Sequence, residues 1–126
     1  MKYDFWDNLI IEGTEDYVGL WEIIHEFRTK HPEKNQKHIK KMTLEAVREI
    51  LETGFMQIGM FDDGKDLEYK IWDLDINDSI HRIETEWNEL GRMPSIGEIA
   101  WLITSEKGEK EAKRILNERN KDDLDS

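Results

Sequence analysis

Residues 43–72, TLEAVREILETGFMQIGMFDDGKDLEYKIW, decide the fold class. Leu44, Val47, Ile50 and Leu51 recur at helical spacing, with Thr43 placed to cap that helix and Gly54 to end it in left-handed backbone. FMQIGMF (55–61) follows at once and reads as a strand. Asp62-Asp63-Gly64-Lys65 is a turn, and Leu67 to Trp72 reads as a second strand. A helix that runs straight into a hairpin with a polar tip predicts a mixed chain.

Outward from this stretch the periodicity is helical. On the N-terminal side, Thr14 is placed as an N-cap, with Glu15 and Asp16 suited to the positive end of a helix dipole. Tyr17, Leu20, Trp21, Ile24 and Phe27 then form one apolar face, and Pro32 ends it. Residues 33–42 (EKNQKHIKKM) read as a loop or as one short helical piece around Gln36 to Lys41. On the C-terminal side, Ile76, Ile80, Ile83, Trp87 and Leu90 define an amphipathic helix closed by Gly91. Ser95 with Glu98 matches a capping box, so a further helix is expected, with Ile96, Ile99, Trp101, Leu102 and Ile103 supplying its apolar surface. A last helix is predicted over roughly Glu109 to Asn120.

Helix, short helix, helix and hairpin over residues 14–72 resemble the winged-helix fold in element order and length. The expectation is therefore an α+β chain, mainly helical, with a winged-helix-like core and one β-hairpin followed by further helices. Its 126 residues fit one domain, taken as 1–120 with a frayed tail at 121–126.

Composition bounds the function. With 37% hydrophobic residues, five Trp and four Phe, the chain can build a real core. It has no cysteine, which excludes a disulfide framework, thiolate metal sites and a Cys nucleophile, and fits a reducing cytosol. No signal peptide or membrane anchor is read from MKYDFWDNLIIEGTED, so a cytoplasmic location is expected.

The formal net charge is −11. Nucleic-acid binders take most of their affinity from phosphate neutralisation by Lys and Arg, whereas an acidic surface attracts basic partners. By segment, residues 1–28 carry −5, 29–49 carry +3, 50–91 carry −8 and 92–126 carry −1. In a winged-helix DNA binder the third helix enters the major groove. Here that helix offers Glu45, Glu49 and Glu52 against Arg48, and the wing tip offers Asp62, Asp63 and Asp66 against Lys65. The basic stretch, Lys30, Lys34, Lys37, Lys40 and Lys41, reads as an exposed connecting segment or, alternatively, as a phosphate-contacting patch. DNA binding is disfavoured.

Residues 73–84 imitate a calcium loop: Asp73, Asp75, Asn77 and Glu84 take ligand positions and Ile80 the apolar one, but Asp78 stands where the sharp turn needs Gly. An EF-hand also needs an entering helix, and LEYKIW before Asp73 reads as a strand. The competing account makes Asp75 or Asn77 a helix cap and Asp78 a partner of the helix dipole; no metal site is expected. His25, His31, His38 and His81 form no zinc motif, and no nucleophile elbow, P-loop or dinucleotide fingerprint is present. No enzyme and no cofactor are expected.

Trp21, Trp87 and Trp101 fall on helical stripes and are expected in the core, while Trp72 could face either way. Tyr3, Phe5 and Trp6 either cover an open edge of the core or, with Asp4 and Asp7, form an aromatic-acidic contact patch. The leading candidate surface is acidic: Asp62, Asp63, Asp66, Glu68, Asp73, Asp75 and Asp78, an electrostatic docking face for a basic protein. In size, charge, lack of Cys and lack of catalytic motifs the chain resembles the immunity proteins of bacterial polymorphic-toxin and contact-dependent inhibition systems. That resemblance implies a cytoplasmic inhibitor that binds and blocks a nuclease-like toxin. The alternative is a winged-helix regulator, or a degenerate relative that uses the fold for protein contacts.

Overall fold

The computed structural model describes residues 1–62 and 68–125. Among these, five helices and four strands make an α+β fold: α1 (Trp6–Glu12), β1 (Val18–Gly19), α2 (Leu20–Lys30), α3 (Gln36–Thr53), β2 (Met56–Phe61), β3 (Tyr69–Ile71), α4 (Ile76–Leu90), β4 (Trp101–Thr104) and α5 (Glu106–Asp125). None of the described helices is long and apolar enough to cross a membrane.

The strands form one antiparallel sheet in the order β1-β4-β2-β3. The last strand in sequence is thus inserted between β1 and the hairpin. Met56 faces Thr104 and Ile58 faces Leu102 across β2 and β4, and all four point into the core. Side chains alternate along a strand, so one face of the sheet is turned to the helices and the other away from them. The core gathers on the helical side, around Trp6, Ile10, Leu20, Phe27, Val47, Ile50 and Ile83. Thr104 belongs to it because its hydroxyl donates to the Ile10 carbonyl at 2.7 Å.

The two strands of the hairpin pair within the stretches that predict them, the predicted turn beyond Asp62 lying outside the described residues, and α4 ends as expected, with Gly91 at φ +67°. Elsewhere the elements differ from the expectation, each for a local reason. Thr14 caps nothing: the first helix lies before it, and its hydroxyl donates back to Ile11 O at 2.7 Å. Val18 and Gly19 are drawn into the sheet by Leu102 and Trp101, so α2 begins only at Leu20. There Glu22 Oε2 accepts the Gly19 N–H at 2.7 Å and satisfies one orphan donor of the helix end.

Thr43 does not start a helix either. It is buried in mid-helix and donates to Ile39 O at 2.8 Å, while Asn35 is the true cap, accepting the His38 N–H at 2.8 Å. Residues 36–41 of the basic stretch and the predicted helix therefore merge into one 18-residue α3, while Lys30 ends α2 and Lys34 lies between the two.

The largest correction falls on residues 96–103. The Ser95–Glu98 pair forms, with Glu98 Oε1 accepting from Ser95 N at 2.8 Å and Oγ at 2.6 Å. No helix follows it. Arg92 grips both Glu98 oxygens, at 2.7 and 2.8 Å, Gly97 turns to φ +82°, and Ile99 is held at φ +70°. Left-handed backbone is unusual for a β-branched residue, and it aims WLIT (101–104) into the gap between β1 and β2. At the other end, α5 begins at Glu106 and runs to Asp125, through most of the segment expected to be frayed.

Candidate interaction site

The predicted acidic set brackets one structural feature, β3, which among the described residues is an edge strand paired with β2 alone. Asp62 and Glu68 close the near end of the hairpin, where the Asp62 N–H donates to Glu68 O at 2.8 Å. Asp73 and Asp75 follow the far end, and Asp78 sits in the first turn of α4. All five are exposed. Asp63 and Asp66 lie outside the described residues.

Two of the five also hold structure. Asp62 lies 3.7 Å from Lys70 Nζ, a surface pair of little energetic weight. Asp75 is the N-cap of α4 and accepts the Asp78 N–H at 2.7 Å. Between the acids, Ile71 and Leu74 are 48% and 42% exposed, so the edge offers apolar area as well as charge. They border a shallow groove of about 250 Å³, also lined by Met56 and Ile58.

The calcium-like loop is not assembled. Because α4 begins at Ile76, Asn77, Asp78 and Glu84 are helical and cannot wrap around an ion. Asp75 Oδ1 is committed to the cap, Asn77 Oδ1 accepts from Arg48 at 2.7 Å, and Glu84 faces α3. Among the described residues no three acidic or histidine side chains converge as metal ligands would. His25, His38 and His81 are exposed and His31 is half-buried.

A second surface is basic. Lys37, Lys40, Lys41 and Arg48 share a face of α3 and line a groove of about 350 Å³ against α4, with Leu44 and Ile80 as its floor. Lys40 is hydrogen-bonded to Asn88 and lies 5.9 Å over the Trp87 ring, and Arg48 is held by Asn77. Glu45 and Glu84 interrupt the positive charge. Lys30 is removed from this face by its pair with Asp4 at 3.1 Å. The result is a stripe rather than a broad positive field.

Among the aromatics, Trp87 is in the core as expected, whereas Trp21 and Trp101 are only half-buried. Phe5 and Trp6 are buried and Tyr3 packs on Phe27, so the N-terminal rings cover the core instead of forming a contact patch. Trp72 is half-buried under Arg82, whose guanidinium carbon lies 4.2 Å from the ring centroid.

One cluster escapes the sequence reading: Tyr17, Phe61, Tyr69 and Trp101, assembled from the approach to β1 and from β2, β3 and β4. The sequence signal that could have placed Trp101 on a strand is the short aromatic and β-branched run WLIT itself. Comparison with known proteins finds no matching family model, no matching curated protein and no matching solved structure.

Proposed function

We propose that the chain is a non-catalytic, protein-binding inhibitor that docks a basic partner across the β3 edge, as an immunity protein docks a nuclease-like toxin. The observation that carries this reading is the placement of Asp62, Glu68, Asp73, Asp75 and Asp78 on both flanks of a strand at the edge of the sheet. An edge strand offers backbone donors and acceptors, and flanking carboxylates select which chain may use them. Opposed potentials raise association rates by roughly 10–10³-fold, which suits an inhibitor that must act before its target does. The acidic, cysteine-free composition supports the same reading.

Co-purification with the product of the adjacent reading frame tests it. A complex formed at low salt and lost when Asp62, Glu68, Asp73 and Asp78 are neutralised together supports the proposal. No complex, or one indifferent to those substitutions, overturns it.

One observation favours a second reading, a winged-helix relative that touches nucleic-acid phosphates. Lys37, Lys41 and Arg48 fall on the same side of a continuous α3 that precedes the hairpin. Against it stand Glu45, Glu49 and Glu52 on the C-terminal half of that helix. Retention on heparin at low salt, abolished by Lys37→Glu with Lys41→Glu, would favour this reading over the first.

A further inference from the structure

Lys37, Lys41, Leu44 and Arg48 recur every three or four residues, so they form a ridge along one side of α3. α4 lies antiparallel beside that ridge. Lys40 is bonded to Asn88 near the end of α4, and Arg48 donates to Asn77 at its start, at 2.7 Å. The groove of about 350 Å³ between the two helices has Leu44 and Ile80 as its floor. Past Lys37 and Lys40 it runs into a second groove, of about 270 Å³, lined by Trp87 and Met93. Lys37 and Arg48 lie about 16 Å apart along the axis at ~1.5 Å per residue, so the furrow is about three turns long.

The positive charge of this furrow is left available. Lys30, Lys70, Arg82, Arg92 and Arg114 each sit on a carboxylate. In a chain with 29 acids, none of Lys37, Lys40, Lys41 and Arg48 does so among the described residues. Lys40 and Arg48 are held by neutral amides instead, which fix the side chains without cancelling their charge. Glu45 is drawn toward Tyr3, whose hydroxyl donates to it at 3.3 Å, and toward Lys2 at 4.0 Å. That leaves Glu84, on the α4 wall, against four cations.

An anion with an apolar side matches such a furrow, and the spacing of the floor favours a helix. Ile80 and Trp87 are two turns apart on α4, the interval of i and i+7 apolar side chains on a helix laid in a groove. The cations flank that floor on the α3 side. A nucleic-acid strand could use the cations, but it would lay phosphates over Leu44 and Ile80. Beyond Arg48 it would meet Glu52, the next residue of the ridge, and Asp78 in the first turn of α4. A short helix ends before either.

We propose that the furrow between α3 and α4 binds an acidic amphipathic helix of a protein partner, its carboxylates on Lys37, Lys41 and Arg48 and its apolar side chains on Leu44, Ile80 and Trp87. This surface shares no residue with the acidic set around β3 and takes a partner segment of the opposite charge, so it goes beyond the docking of a basic protein.

The test uses three probes on the intact chain at low salt. One is a synthetic helical peptide with leucines at i and i+7 and glutamates beside them. The second has the same residues shuffled out of helical period, and the third is an oligothymidylate of equal charge. Affinity is read by fluorescence anisotropy and the site by NMR shift mapping. The patterned peptide should bind about tenfold more tightly than the shuffled one, the effect of one well-seated apolar side chain. Its shifts should centre on Lys37, Lys41, Leu44, Arg48 and Ile80. Lys37→Gln with Lys41→Gln should weaken it about fivefold, the loss of two exposed ion pairs. Leu44→Ala should narrow its lead over the shuffled peptide. Lys37 and Lys41 are exposed, so their variant keeps the test open even if Leu44→Ala impairs folding.

Equal affinity for the two peptides would reduce the furrow to a patch of charge and overturn the inference. Tighter binding of the oligothymidylate, at the same residues, would overturn it in favour of phosphate recognition. Shifts centred off the furrow, or no binding by either peptide, would also overturn it. None of these outcomes bears on the β3 edge, which is tested by its own complex.

Discussion

The first half of α3 and the β3 edge carry opposite charge, and they are built differently. The lysines of α3 stand on a regular helix whose other side fills the core with Ile39, Thr43, Ala46 and Val47. The acids around β3 stand at the ends of a three-residue strand held from one side only. Net charge alone would have hidden this polarity. A uniform value of −11 suggests repulsion of all anions, yet the chain keeps a cationic stripe on its most regular helix. The comparison teaches that the two patches differ in support: the lysines stand on a long helix packed on the core, the acids around an edge strand paired on one side only.

The strongest way to break the comparison is to remove the edge while leaving the helix. A Cβ on Gly59 would lie 2.1 Å from the Lys70 carbonyl oxygen, a clash with backbone that no rotamer can relieve. Gly59→Ala should therefore cost about 3 kcal/mol, the upper part of the range for forced overpacking, with β3 parting from β2. Urea denaturation gives the size of the effect. Hydrogen exchange should show lost protection at residues 69–72 and unchanged protection at 39–50. Equal loss in both segments would mean that the two regions fold as one cooperative unit and that their contrast in stability is illusory.

Much of this was legible in the sequence, for reasons that are local. The hairpin and the glycine stops of α3 and α4 depend on neighbours in the chain, and so did the cap at Asp75. The misreadings have long-range causes. Ser95 and Glu98 make the bonds of a capping box, but Arg92 and the left-handed Ile99 turn the chain, and partners on β1 and β2 claim residues 101–104. Thr43 has a capping side chain, yet it is spent on Ile39 O inside a helix begun by Asn35. That one error split α3 in two and separated Lys37 and Lys41 from Arg48. The acids were legible as composition; their arrangement around an edge strand required knowing that β4 takes the other side of β2.

The two regions can next be compared through their caps, which should act equally despite their different charge. Asn35 caps α3 and Asp75 caps α4, each accepting one N–H, at 2.8 and 2.7 Å. Asn35→Ala and Asp75→Ala should each cost about 1 kcal/mol in urea unfolding. Asp75→Asn keeps an acceptor and should stay within a few tenths of a kcal/mol of the parent. Its effect should fall on binding of a basic probe. If Asp75→Asn destabilised as much as Asp75→Ala, the charge of Asp75 would be structural, and its assignment to the docking edge would fail.

The smallest expected effect concerns the opposite border of the sheet, where Glu12, Asp16 and Glu22 gather beside β1. Burial pushes the Glu12 carboxyl up to about 7, and the nearby Glu22 and Asp16 carboxylates add to the rise. The folded protein thus holds this proton more tightly than the unfolded chain, whose carboxyl ionises near 4.5. Glu12 leaves the fold unpenalised below that pH, lowers stability progressively as pH rises toward about 7, and imposes a constant loss above it. Because Glu12 is largely open to water, screening reduces the difference to ~0.5 kcal/mol. Glu12→Gln should therefore stabilise the protein slightly at pH 8 and leave it unchanged at pH 4, as read by urea midpoints at the two values. A gain of the same size at both would trace to packing at the end of α1 and not to ionisation.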